Sequence, residues 1–213
     1  KIIINMKKSA ITLFTVFSSF LTLAQESGDT KQSELGIKVD AKLGYATLIQ
    51  SDMVNTQGDI NGGEVQFYYK LPGGTSFNTG IGLMDFRANG TLAGESYFLD
   101  QRYLRIPLYV NYSLSIFEKQ FDDKLQGYAG IGLYANTLLR EEIQTLGGTD
   151  KNKNQGWNGG YGFQLGMKFG VSDNFNFGLG FESQNDFSKM KKNGVERKLE
   201  QISTVNFTLE FKF

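Results

Sequence analysis

Eight runs of strict apolar–polar alternation fill most of this chain, and they constrain its fold more than any other feature. The last run, VNFTLEFKF, sets the pattern: Phe207, Leu209, Phe211 and Phe213 alternate with Asn206, Thr208, Glu210 and Lys212. The other seven cover residues 35–49, 65–71, 77–84, 104–114, 125–136, 161–171 and 175–182. A period of two places successive side chains on opposite faces of a strand. No helical period competes in any of the eight, so the sequence predicts an all-β chain of eight antiparallel strands.

The connections alternate as well. Pro72–Thr75 and Ser172–Asn174 are tight, residues 115–123 are intermediate, and residues 50–63, 85–98, 140–158 and 186–198 are long and mainly polar. Long connections at one end and short turns at the other are the plan of a transmembrane β-barrel, with long extracellular loops and short periplasmic turns.

The two faces decide which side meets lipid. One is almost purely Leu, Ile, Val and Phe. The other carries Lys38, Asp40, Lys42, Glu64, Lys70, Arg105, Lys168, Glu182, Glu210 and Lys212, with most of the strand glycines. A membrane barrel turns its apolar face outward and its polar face inward. A soluble, lipocalin-like barrel would reverse this and enclose an apolar ligand, but the loop plan and the closing phenylalanine argue against it. Eight strands leave an interior just wide enough for side chains, and glycine opposite an inward tyrosine makes room for the ring. The ten charges, six basic and four acidic, read as a salt-bridged network that plugs the lumen; a narrow passive channel is the alternative.

Export is written at the front. Met6-Lys7-Lys8 precedes an apolar run from Ala10 to Leu23 and small residues at Thr22 and Ala24. This is the form of a secretory signal peptide. The expected organisation is a signal peptide over 1–24 (with 1–5 ahead of the start), a polar periplasmic tail over 25–34 and an outer-membrane barrel over 35–213. Removing 1–24 takes away three lysines and no acid, leaving 19 basic against 22 acidic residues. That balance offers nothing to nucleic acid. The row Phe207, Leu209, Phe211 and Phe213 reads as an assembly signal that the barrel assembly machinery recognises by strand addition.

The fourth and fifth runs carry a family likeness. YLRIPLYVNYSL, followed by LQGYAGIGLYANTLL, resembles a motif pair of the PorT-like family of small outer-membrane barrels of Bacteroidota. The matching positions are Tyr103, Leu104, Ile106, Pro107, Leu108 and Tyr112, then Ala129, Gly130, Gly132 and Tyr134. Arg105 stands where the family usually has Glu, and Ile131 where Pro is common. The resemblance implies an eight-stranded outer-membrane barrel and, through the family's namesake, possible partners in a type IX secretion complex. It carries no site residues with it.

Chemistry is sparse. The chain has no histidine and no cysteine, whereas barrel enzymes of the outer membrane generally use histidine as a base near neutral pH. GIGLYA (130–135) fits a dinucleotide fingerprint in spacing only, because no helix follows it. DKNKNQG (150–156) offers oxygens at alternate positions, but lacks the glycine and glutamate of a calcium loop. Glu141-Glu142 and Asp122-Asp123 are sequence neighbours that would point opposite ways. The sequence therefore predicts a non-enzymatic small outer-membrane barrel without cofactor or metal, in contact with outer-membrane lipid. It would act through surface loops or as an envelope component. The alternatives are a secretion-apparatus subunit and a passive channel.

Overall fold

The computed structural model describes residues 33–51, 54–92, 94–116, 124–153, 156–192 and 194–213. The expected signal peptide and all but the last two residues of the tail lie outside the described residues. The strands are β1 (Glu34–Gln50), β2 (Thr56–Lys70), β3 (Thr75–Leu92), β4 (Glu95–Ser115) and β5 (Leu125–Thr145). They continue with β6 (Gly148–Lys153), β7 (Trp157–Ser172), β8 (Phe175–Asp186), β9 (Met190–Lys192) and β10 (Val195–Lys212). Eight of them form an antiparallel ring in the order β1-β2-β3-β4-β5-β7-β8-β10, closed by β10 on β1 from Gly36↔Lys212 to Gln50↔Arg197. A closed ring pairs the backbone groups that lipid could not satisfy. The short strands β6 and β9 fold back on β5 and β10 as hairpin arms.

Outward positions make the lipid band. On β1, Leu35, Ile37, Val39, Ala41, Leu43 and Tyr45 face out over eleven residues, matching the roughly 9–11 residues of a tilted transmembrane strand. Ile131, Leu133, Phe163, Leu165 and Phe207 continue the band around the ring, all more than 40% exposed in the isolated chain. Aromatic rings border it, as amphipathic rings do at bilayer interfaces. Tyr45, Trp157 and Tyr161 stand at the upper edge. Phe175 and Phe211 lie at the lower edge with ring centroids 5.0 Å apart. At that end β2 turns into β3 through Gly73 and Gly74, both near φ +93, where a side chain would be strained. Leu71 N donates to Thr75 O at 2.7 Å.

The opposite end differs from expectation. Much of the long polar connections is strand. β3 and β4 run on to a hairpin pairing Leu92 with Glu95, β5 and β6 extend the wall through 140–153, and β2 already begins at Thr56. The barrel therefore continues beyond the lipid band, and there its polarity inverts. Inward positions become apolar: Leu48, Ile60, Phe86, Leu99, Leu138, Leu199 and Ile202 are 0–2% exposed and form one core with Met84, Tyr97, Tyr103 and Met190. Outward positions become charged, as at Asp85, Arg87, Asp100, Arg102, Arg140 and Glu142. The reason is the solvent outside. Where lipid gives way to water, the same period-two wall must bury its apolar face inward, like a soluble barrel.

Two irregularities keep the inward row in register. The β4–β5 pairing shifts after Arg102↔Arg140, so that Tyr103 meets Leu138. On β10, Gln201 takes a left-handed φ of 51° where the β1 register jumps between Tyr45↔Ser203 and Thr47↔Glu200. This bulge lets both Leu199 and Ile202 point inward.

Candidate functional site

The membrane-level interior is built from the even positions of β1 and their counterparts around the ring. Lys38, Asp40, Lys42, Glu64, Arg105, Glu182 and Glu210 are all at most 4% exposed. Lys42 is the hub: its Nζ lies 2.9 Å from Glu64 and 2.6 Å from Glu182. Glu182 also accepts from the Tyr109 hydroxyl at 2.5 Å and from Asn206 at 3.0 Å. Arg105 Nε donates to Asn136 at 3.0 Å, its Nη1 donates to Gln184, and its guanidinium lies 4.0 Å over the Tyr134 ring. Lys38 pairs with Asp40 at 3.1 Å, and Asp40 accepts from Thr208 at 2.5 Å.

Lower down, Lys168 pairs with Glu210 at 2.5 Å, and Glu210 accepts from Asn176 at 3.0 Å. Lys70 and Lys212 sit at the periplasmic rim, each 3.7 Å from Glu34. All ten charges singled out in the sequence thus lie on the interior face. Glu34, assigned to the tail by sequence, opens β1 instead and supplies a fifth acid. Its even position, in line with Lys38 and Asp40, was the signal for this. Gln66, Tyr109, Gln184, Asn206 and Thr208 complete the network, and they carried no charge to mark them.

Size fits the space. A Cβ added at Gly162 would collide with the Tyr109 hydroxyl, at Gly160 with the Tyr134 ring, and at Gly166 or Gly180 with the Tyr128 hydroxyl. The strand glycines opposite inward tyrosines are therefore sockets for those rings. Gly130 and Gly132, whose spacing fits a nucleotide motif, both lie on strand β5.

A second buried ion pair sits in the apolar extracellular half. Glu141, 1% exposed, pairs with Arg197 and accepts from Gln101 at 2.6 Å. Tyr103 donates to Gln101 at 2.6 Å. Its sequence neighbour Glu142 points outward and pairs with Lys151 at 3.1 Å, which holds its carboxyl below the ordinary range. These two acids take opposite faces and form no dyad. Asp150–Lys153 lie on β6, and residues 154–155 of the DKNKNQG stretch fall outside the described residues. Asp122-Asp123 also fall outside them. Among the described residues no three acids, histidines or cysteines cluster as a metal site would require.

On the outer surface of the extension, Arg102 pairs with Asp85 at 2.6 Å and Arg87 with Asp100 at 3.6 Å. In the β9–β10 hairpin, Glu196 binds Lys191 at 2.5 Å and Lys189 at 2.9 Å. These two lysines hold its carboxyl down to about 2. Of the four residues read in the sequence as an assembly signal, Phe207, Leu209 and Phe211 face outward on β10 and Phe213 follows its last residue, also exposed.

No protein-family profile matches the chain, and no curated protein matches it. Solved structures do. Neisserial surface protein A is similar at 16% identity, over 86% of this chain and 100% of that one, with a TM-score of 0.53. OprG of Pseudomonas aeruginosa is similar at 13% identity over 84% and 97%, TM-score 0.49. Ail, the attachment invasion locus protein of Yersinia pestis, is similar at 11% identity over 86% and 100%, TM-score 0.43. At these identities the likeness concerns architecture alone. The closed ring, its lipid band and the first of these similarities place the fold among small eight-stranded outer-membrane β-barrels.

Proposed function

We propose that this protein is a non-enzymatic outer-membrane barrel with a sealed interior, acting through its extracellular extension or as a structural part of the envelope. The observation that carries the reading is that two different seals lie in series along one axis. The lower seal is the ion-paired network centred on Lys42. Burying unpaired ions costs several kcal/mol apiece, so charges of both signs in a narrow interior settle against each other rather than line a water column. The upper seal is the apolar layer around Phe86, Leu99 and Leu199, into which the β9–β10 hairpin inserts Met190, 2% exposed. A solute path would have to break both.

Planar-bilayer recording of the purified protein tests the reading. The expected result is no steady conductance. Reproducible unitary currents whose size changes in Lys42→Met would overturn the sealed interior in favour of a channel. Membrane fractionation gives a parallel test, with recovery in the outer membrane expected. Co-purification in a large stoichiometric assembly would favour a secretion-apparatus subunit instead.

A further inference from the structure

The barrel wall is not continuous over its whole height. β2 and β3 pair from Lys70↔Ser76 up to Gly58↔Ala88 and separate there. Above that level β2 continues beside β1 to Leu48↔Thr56, and β3 continues beside β4 to Leu92↔Glu95. Two strand edges therefore face each other across a notch, tied by the Thr56 and Tyr97 hydroxyls at 2.7 Å. The notch opens into a groove of about 650 Å³ on the outer face of the extension, within the size range of small-molecule sites.

Its lining is unlike the rest of the outer surface. Asn55 and Gln57 reach it from the β2 side, Asn89 and Thr91 from β3, and Thr47 from β1. None of these five side chains has a hydrogen-bond partner among the described residues. The contrast lies around the ring, where outward Asp85, Arg102, Glu142 and Lys151 are committed to one another. The one acid among the described lining residues, Glu200, is taken by Lys198. Ile49 and Val54 add apolar surface, Val54 at 73% exposure. Gln201, with its left-handed backbone, lies on the same rim. Such strain in a non-glycine residue is worth reading for function.

We infer that this notch binds a neutral saccharide. Amides and hydroxyls both donate and accept, and a sugar ring presents hydroxyls that do the same. Among its described lining residues the groove has no uncompensated charge to select an anion or a cation, and its apolar strip suits the C–H face of a pyranose. A peptide strand added to the free edge is the competing occupant. The β3 edge above Ala88 is only a few residues long, and the Thr56–Tyr97 bond crosses the space such a strand would fill. The site opens above the lipid band, at the end opposite the tight turns and the chain's last strand residues. It therefore rests on the reading of that end as the outside of the cell.

The test uses the whole barrel in detergent micelles. It is presented to immobilised di- to tetrasaccharides of glucose, mannose, galactose and N-acetylglucosamine, and the best binder is then titrated calorimetrically. Binding to at least one neutral glycan is expected, weakened tenfold or more in Gln57→Ala/Asn89→Ala and in Asn89→Asp, and unchanged in Lys151→Ala. Gln57 and Asn89 are exposed, and heat-modifiable gel mobility verifies that each variant folds. No binding to any neutral glycan, undiminished binding in the variants, or binding of extended peptides in preference to sugars overturns the assignment. A barrel that conducts and still binds glycan loses only the sealed-interior reading. A silent barrel that binds none loses only this one.

Discussion

Replacing Lys42 by methionine removes the positive hub of the lumen with little change in volume. In the folded barrel Lys42 Nζ neutralises two carboxylates at once, Glu64 at 2.9 Å and Glu182 at 2.6 Å, with all three side chains at most 2% exposed. The nearest other cation to Glu64 is Arg105, at 3.9 Å. Lys42→Met thus leaves two like charges facing each other in a site closed to water. Removing one partner of a buried pair costs about 3–5 kcal/mol. With a urea dependence of about 2–3 kcal/mol per molar, the unfolding midpoint of the detergent-folded barrel should fall by about 1–2.5 M. Adding Glu64→Gln and Glu182→Gln to the same background should recover most of the loss, because amides can hydrogen-bond without carrying charge. A single variant within about 0.5 kcal/mol of the unaltered barrel, or a triple variant no more stable than the single, would refute the argument that pairing holds the lumen.

Four further expectations follow from the same geometry. Arg in place of Leu133 or Leu165, both lipid-facing, should cost about 2–4 kcal/mol of folding into bilayers, and spin labels at 129–135 should alternate between lipid and interior environments. Gly180→Ala should destabilise by about 1–3 kcal/mol through collision with the Tyr128 hydroxyl, and Tyr128→Phe should return part of it in a double-mutant cycle. Phe86→Ala, at a position 0% exposed in the extracellular core, should cost about 3–5 kcal/mol; an insensitive barrel would deny that this layer is a packed core. The Glu196 carboxyl is held down to about 2, so its contribution is complete above its ordinary range near 4.3 and is lost as pH falls through about 2. Amide exchange across the β9–β10 hairpin should accelerate over that window, and Glu196→Gln should abolish the dependence.

Which features the sequence alone determined can be traced to particular residues. Within the bilayer the alternation is chemically extreme: Leu35, Ile37 and Val39 against Lys38, Asp40 and Lys42. One solvent is apolar, so the parity alone assigned each side chain a face, and the glycine positions opposite Tyr109, Tyr128 and Tyr134 were legible as sockets. The extracellular half was harder to read. Asp85-Phe86-Arg87-Ala88 and Leu99-Asp100 keep the same period with opposite polarity, and a reading that expects apolar residues outside takes them for loop. Glu34 and Glu141 were missed as interior acids for related reasons, one at a strand's first residue and the other beyond a bulge that shifts parity by one.

The pairing of specific charges, Lys42 with both Glu64 and Glu182 or Glu141 with Arg197, joins residues 22 to 140 positions apart, counted along the chain. No local pattern encodes such a choice. It is made when the ring closes, because strand register sets the height of each side chain and the narrow lumen then leaves each charge only a few neighbours. The notch between β2 and β3 is likewise a tertiary result. It exists because two strands that pair along the membrane part company above it, each held by its other neighbour.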